Sequence, residues 1–163
     1  MDRKKLYKLI LAFALLLTVI IVVLLFKPFV TCYLPSRVQT ILDEKYYYDW
    51  YTQNLSLIGL FDPLILVILP ALIAAIGIIM RICKNVIKKS SFIILKLTAI
   101  ANLFCMYNLY DQADARIYDA YKKAGAYVKI TSIGIFDILL SVCLLIVAVC
   151  LSRTSKKLSI ESV

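Results

Sequence analysis

The sequence predicts an all-α, polytopic membrane protein with four transmembrane helices, both termini in the cytoplasm and a short amphipathic helix on the outer surface. Two observations lead to this fold class. The 163 residues are 63% hydrophobic and only 18% charged, whereas soluble domains have roughly 45–50% apolar and about 25% charged residues. In addition, most Lys and Arg residues lie at alternating ends of four apolar segments. The composition therefore excludes a soluble globular or a disordered protein.

The four apolar segments cover residues 9–30, 58–80, 92–110 and 128–151. Each is long enough to cross a bilayer, which takes roughly 20 helical residues. The first segment follows basic residues, as in a signal peptide, but its apolar core exceeds the roughly 7–15 residues of such peptides and no small-residue cleavage site follows it. We therefore expect a single four-helix transmembrane domain over residues 1–163.

The basic residues predict the orientation of this domain. Eleven Lys and Arg residues lie before the first segment, between the second and third and after the fourth, against five in the other two loops. Cytoplasmic loops of membrane proteins carry such an excess. We therefore expect an integral protein of the cell membrane or an inner membrane, with both termini and the middle loop on the cytoplasmic side. Lipid headgroups then account for the net charge of +9. We expect lipids as partners, together with a larger membrane protein or further copies of the chain, and no nucleic acid.

The residue types exclude several chemistries. There is no histidine, and the five cysteines form no C-x-x-C motif. Haem ligation by His, the usual zinc sites and His-dependent nucleophilic catalysis are therefore excluded. The sequence predicts neither a metal site nor a cofactor.

Aromatic residues are concentrated in the loops predicted to lie outside. The densest run comprises Tyr46, Tyr47, Tyr48, Trp50 and Tyr51. Tyr and Trp favour the headgroup layer, because the ring is apolar and its polar tip stays hydrated. An aromatic belt is one interpretation, and a patch that binds a partner or a lipid is the other.

Both outer loops are predicted to contain helix. Ser36 followed by Gln39 is a capping-box pattern, and apolar residues follow at helical spacing. We therefore expect a short interfacial helix that begins near Ser36. In the second outer loop, apolar residues recur every three or four positions, which predicts that the third span extends outward until Gly125.

Polar residues inside the spans are candidates for function, because charge in hydrocarbon is costly and rarely tolerated without a use. The candidates are Asp62, Asn102 and Asp137, whereas Lys96 lies close enough to the cytoplasmic end to reach water. Asp62 stands before Pro63, and Pro70 lies farther along, so the second helix is expected to be irregular there.

Depth estimates bring two of these residues together. Counting about 1.5 Å per residue from the cytoplasmic ends places Asn102 at about 16 Å and Asp137 at about 22 Å. The two side chains can therefore form a hydrogen bond if the third and fourth spans are neighbours. Two interpretations stay open: a neutral Asp137 held by Asn102, Ser132 or Ser141 that joins the helices, or a functional carboxyl.

Several short stretches resemble the lipoprotein signal peptidases, which are four-span aspartyl peptidases of the bacterial inner membrane. They are Lys27, the stretch NLSLIGLF at 54–61, Asn108 to Asp111 and Phe136-Asp137. The resemblance implies a peptidase whose catalytic carboxyls are Asp119 and Asp137. Gln112 stands where the family has Arg, and Leu140 stands at the position of the second catalytic Asp.

Three functions are compatible with these observations. The first is a non-enzymatic accessory subunit, or a partner- or lipid-binding protein, that uses the aromatic outer loop and packing faces such as Ala71, Ala75 and Gly77. The second is a small oligomeric transporter or channel with Asp62 and Asp137 along a polar path. The third is the aspartyl peptidase.

Overall fold

The computed structural model describes residues 3–39, 46–57, 64–84, 90–115 and 125–160. This part of the chain is mostly helical and contains four helices that are long and apolar enough to cross a membrane. The elements follow in the order α1 (Arg3–Leu24), β1 (Pro28–Gln39), β2 (Tyr46–Ser56), α2 (Leu69–Lys84), α3 (Ser90–Ala115), β3 (Tyr127–Ile130) and α4 (Ser132–Ile160).

The helices form a ring in which each packs against the next and α4 closes onto α1. Small and branched apolar residues fill the centre, among them Ala14, Ile21, Ala74, Ile78, Leu95, Ala99, Leu144 and Ala148. Large apolar side chains such as Leu9, Phe13, Phe104 and Leu139 are about half exposed or more. An apolar outer surface of this kind is what a lipid environment requires of a bundle.

Helices α2 and α3 lie close together at Gly77. A Cβ atom built on Gly77 would collide with the Oγ and Cβ atoms of Ser91. Glycine at this position therefore lets the two backbones come together, as small residues do at helix contacts in membranes. Of the predicted packing face, Ala71 is buried and Ala75 is half-buried.

The irregularity expected at Pro70 takes the form of a π-helical segment, Leu64–Ile68, that leads into α2. Proline lacks the amide hydrogen that would bond to the carbonyl four residues earlier, here that of Leu66. A wider turn at this point accommodates the missing hydrogen bond.

The fold is mostly helical with four membrane-length helices, as predicted, but it is not all-α, because the strands form a three-stranded antiparallel sheet in the order β2-β1-β3. The predicted interfacial helix near Ser36 is part of β1, in register with Asp49 of β2. The capping-box pattern is local, whereas pairing with β2 satisfies the whole backbone of the segment. Pro35 is tolerated because β3 extends only along Val30 to Tyr33, so β1 has a single described neighbour at Pro35.

The sheet also changes the predicted bounds of the spans. Helix α1 ends at Leu24 and not at residue 30, because the chain enters β1 at Pro28. Helix α4 begins at Ser132 and not at residue 128, because Tyr127–Ile130 belongs to β3. Helix α3 continues to Ala115, five residues beyond the predicted end. The rest of its predicted outward extension lies outside the described residues as far as Gly125, which has a φ of 95°.

Candidate functional site

A cluster of three polar side chains lies inside the bundle between α3 and α4. The Nδ2 atom of Asn102 donates hydrogen bonds to Asp137 Oδ1 at 3.2 Å and to Ser141 Oγ at 2.9 Å. Asn102 and Ser141 have no exposed surface, and Asp137 is 2% exposed. The predicted hydrogen bond between Asn102 and Asp137 is therefore confirmed. We call these three residues the polar cluster.

The helical periodicity explains why these side chains point inward. Asn102 occupies the same buried stripe of α3 as Leu95, Ala99 and Cys105. Asp137 and Ser141 precede Leu144 and Ala148 on the buried stripe of α4. Residues three or four positions apart share one face of a helix. Apolar side chains would be the default at all three positions, and the polar groups there are joined by hydrogen bonds.

The polar cluster is short of one hydrogen-bond donor. Both hydrogens of the Asn102 amide group are used, but its Oδ1 atom is buried and accepts no hydrogen bond from the described residues. An unsatisfied buried carbonyl costs about 1–3 kcal/mol. The geometry therefore indicates that a further donor belongs beside Asn102.

The other candidate charged residues are Asp62, Asp119 and Lys96. Asp62 and Asp119 both lie outside the described residues. Lys96 is half-buried, one and a half turns before Asn102 on α3. Neither the polar path of Asp62 and Asp137 nor the catalytic pair of Asp119 and Asp137 is tested, and both stay predictions.

The aromatic run lies on a two-stranded ribbon. Strand β3 pairs with β1 only from Val30 to Tyr33, whereas β1 and β2 stay paired as far as Gln39 and Tyr46. Beyond β3, the pairing from Leu34↔Tyr51 to Gln39↔Tyr46 extends for about 20 Å at about 3.3 Å per residue. We call these two stretches, Leu34–Gln39 and Tyr46–Tyr51, the distal ribbon. It contains all five residues of the predicted aromatic patch.

A stacked pair of tyrosines lies where the sheet is widest. The rings of Tyr33 and Tyr127, which are register partners on β1 and β3, have centroids 4.6 Å apart and planes 13° apart. On the same face, Thr31 Oγ1 donates a hydrogen bond of 2.7 Å to Asn54 Oδ1 of β2. These contacts join the three strands on the face opposite the buried Val30 and Cys32.

Thr131 connects the sheet to the bundle through hydrogen bonds. Its Oγ1 atom accepts a hydrogen bond from the Gly134 amide at 2.9 Å, which caps the N-terminus of α4. The same hydroxyl donates to the Pro28 carbonyl at 2.7 Å, and the Thr131 amide donates to the Phe29 carbonyl at 2.9 Å. A Cβ atom on Gly134 would lie 2.5 Å from that Phe29 carbonyl oxygen. The start of α4 therefore lies directly against the start of β1.

Sequence reasoning missed a second buried polar group at the opposite end of the bundle. The Arg81 guanidinium lies between two aromatic rings, 4.9 Å from the centroid of Tyr7 and 5.0 Å from that of Phe92. Only 6% of Arg81 is exposed. By its position in the sequence, Arg81 is one of the four basic residues of the middle loop. Tyr7, the lone tyrosine before the first apolar segment, is the one sequence signal that suggests a partner for it. The three residues connect α1, α2 and α3.

The function has to be argued from these residues themselves, since no family model, curated protein or solved structure matches the chain.

Proposed function

We propose that this chain is a small integral membrane protein that acts as a non-enzymatic accessory subunit and binds a protein partner through its distal ribbon. In this proposal both termini and the basic end of the bundle face the cytoplasm, and the sheet lies on the outer side. The excess of Lys and Arg at the end of the bundle opposite the sheet supports this orientation.

The length of the distal ribbon is the observation that carries the proposal. Two strands without further support are at best marginally stable in water, and a third strand or a packed surface is needed to hold them. In the described structure β3 supplies that support only as far as Tyr33. A partner surface packed on the distal ribbon would supply it over the remaining 20 Å or so.

The composition of the distal ribbon favours a protein over a lipid surface. Its twelve positions include five aromatic residues and one residue of each charge, Arg37 and Asp49. Anionic lipid attracts clusters of basic residues, which the ribbon lacks. Tyr and Trp with few charges are typical of the centres of protein interfaces.

The polar cluster supports the absence of an enzymatic role for Asp137. A catalytic carboxyl has to come within hydrogen-bond reach of its substrate, but Asp137 is 2% exposed and bonded to Asn102. The arrangement matches that of polar groups that join transmembrane helices.

Substitutions on β2 test the proposal. Two variants replace alternate positions of the aromatic run by Thr, which keeps strand propensity: Tyr46→Thr with Tyr48→Thr and Trp50→Thr, and Tyr47→Thr with Tyr51→Thr. Tyr107→Leu, at a position of α3 that is 67% exposed, serves as the control. We expect at least one β2 variant to lose a stoichiometric partner seen after mild solubilisation of native membranes, while Tyr107→Leu retains it.

A photo-crosslinking residue in place of Tyr48 provides the direct measurement. It should form an adduct with the same partner protein, whereas the crosslinker in place of Tyr107 should not. If both β2 variants copurified the partner as well as the wild type, or if the crosslinker reacted only with lipid, the distal ribbon would not be the binding surface.

A further inference from the structure

We propose that the polar cluster is a proton-binding site, in which Asp137 is held as a neutral carboxylic acid paired with the carboxamide of Asn102. The inference does not depend on the proposed function. Asn102 Oδ1 is buried and lacks a hydrogen-bond donor among the described residues. With a carboxylate at Asp137, the cluster has four acceptor atoms, which are Asn102 Oδ1, Ser141 Oγ and both carboxyl oxygens of Asp137. It has only three hydrogens to share among them, two on the Asn102 amide group and one on the Ser141 hydroxyl.

One proton on Asp137 supplies the donor. A carboxamide and a carboxylic acid are complementary, since the amide group donates to one carboxyl oxygen while the acid hydroxyl donates to the amide oxygen. The first of these two bonds is present, from Asn102 Nδ2 to Asp137 Oδ1 at 3.2 Å. The acid hydroxyl would supply the hydrogen bond that the otherwise unsatisfied Oδ1 atom of Asn102 lacks, whereas a carboxylate would bring only a further acceptor.

Among the described residues, no charged group lies where it would stabilise a carboxylate at Asp137. On α3 the nearest charged residues along the chain are Lys96 and Asp111, about 9 Å and about 14 Å from Asn102 along the axis. On α4 the nearest is Arg153, about 24 Å from Asp137, and on α1 Lys5 and Lys8 lie at the opposite end of the helix from the sheet. At the sheet end, the side chains of Lys27 and Lys129 are both exposed. No described cation forms an ion pair with Asp137, whose hydrogen bond is to Asn102. A carboxylate there would be a buried charge without a counter-ion, which is strongly disfavoured.

Ser141, the third member of the cluster, fixes the orientation of the Asn102 carboxamide. Its Oγ atom accepts the second amide hydrogen of Asn102 at 2.9 Å, so the amide oxygen keeps a defined position. Loss of the proton would place a charge between α3 and α4.

Infrared spectroscopy of the purified full-length protein tests the assignment. A protonated carboxyl has a C=O stretching band well separated from that of a carboxylate. We expect such a band at neutral pH in the wild type, unchanged in Asp111→Asn, where an exposed carboxyl is removed, and lost in Asp137→Asn. In Asn102→Ala the band should move to higher frequency, because the acid loses its hydrogen-bonding partner.

A second measurement avoids any dependence on the folding of variants. The carboxyl carbon of Asp137 in isotope-labelled wild-type protein in bilayers should show the solid-state NMR shift of the acid at neutral pH, and should move to that of the carboxylate as the pH is raised. Because a carboxylate at Asp137 would be a buried charge without a counter-ion, wild-type thermal stability should fall as pH rises, and Asp137→Asn should lose this dependence. A carboxylate shift at neutral pH, or a band that persists in Asp137→Asn, would overturn the proposal.

Discussion

The hydroxyl group of Thr131 serves two backbone segments that are about a hundred residues apart in sequence. It caps α4 through the Gly134 amide and donates to the carbonyl of Pro28 at the start of β1. A side chain that satisfies both a helix terminus and a strand terminus is worth more than an isolated cap, because its loss leaves two backbone groups without partners.

We expect Thr131→Val to lower the free energy of unfolding by about 2 kcal/mol, of which about 1 kcal/mol is the lost cap and about 1 kcal/mol the lost bond to Pro28. Valine keeps the size and the branching of threonine. The measurement is thermal denaturation in mild detergent. Thr131→Ser retains the hydroxyl and should stay close to the wild type; equal losses in both variants would assign the effect to packing.

Arg81 illustrates how a single residue type can be misjudged from sequence. A basic residue at the end of an apolar segment normally counts as a loop charge, and nothing local indicates that a ring from each of two other helices encloses it. By contrast, the hydrogen bond between Asn102 and Asp137 can be predicted from sequence, because a rise of 1.5 Å per residue brings the two side chains to similar heights in neighbouring helices.

We expect Arg81→Lys to destabilise the protein by roughly 1–2 kcal/mol, because an ammonium group lacks the flat surface that stacks on two rings. Arg153→Lys, at an exposed position of α4, is the matched control and should have no effect. Denaturation curves of the two variants, recorded at the same ionic strength, provide the comparison. Equal stability of Arg81→Lys and the wild type would show that the contacts with the two rings do not stabilise the protein.

At the scale of elements, the helices could be predicted from sequence and the sheet could not. Each helix is apolar over roughly 20 residues, a signal contained within the segment itself. Strand β1 depends on partners at Tyr46–Ser56 and Tyr127–Ile130, which its own residues do not reveal. Its local pattern, Ser36 followed by Gln39, favours a helix that the pairing overrides. The sequence therefore reveals the aromatic run, but not its position on a two-stranded ribbon.

The contact between α2 and α3 gives a prediction at this scale. Gly77→Ala should destabilise the bundle by about 1–3 kcal/mol, because the added methyl group meets Ser91. Ser91→Gly removes that side chain and should restore part of the loss, less up to about 1 kcal/mol for glycine in a helix. The coupling in a double-mutant cycle is the quantity to measure. Purely additive effects would show that Gly77 and Ser91 do not limit the approach of the helices.

For the whole molecule, the sheet makes the two ends of the bundle unlike. One end carries Thr52 and Lys129, both exposed on the sheet, and the other carries Lys5 and Arg153. The charge distribution predicts that the second end faces the cytoplasm, and single cysteines at these four positions, in a background without the native cysteines, report the orientation.

We expect a membrane-impermeant thiol reagent to label Thr52→Cys and Lys129→Cys in intact cells and to label Lys5→Cys and Arg153→Cys only after permeabilisation. The exposed positions make all four thiols reachable once the reagent has access. The reverse pattern would invert the proposed orientation and place the distal ribbon in the cytoplasm.

The order of synthesis gives the joint at Thr131 a further meaning. Strand β1 leaves the ribosome directly after the first helix, but its neighbour β3 and its anchor Thr131 follow about a hundred residues later. Until then the central strand has one free edge, and contacts between distant parts of a chain form late. The sheet can thus be completed only after the first three helices have been synthesised. A ribosome stalled before Thr131 would display an open-edged hairpin that quality-control proteases and chaperones can recognise as unfinished.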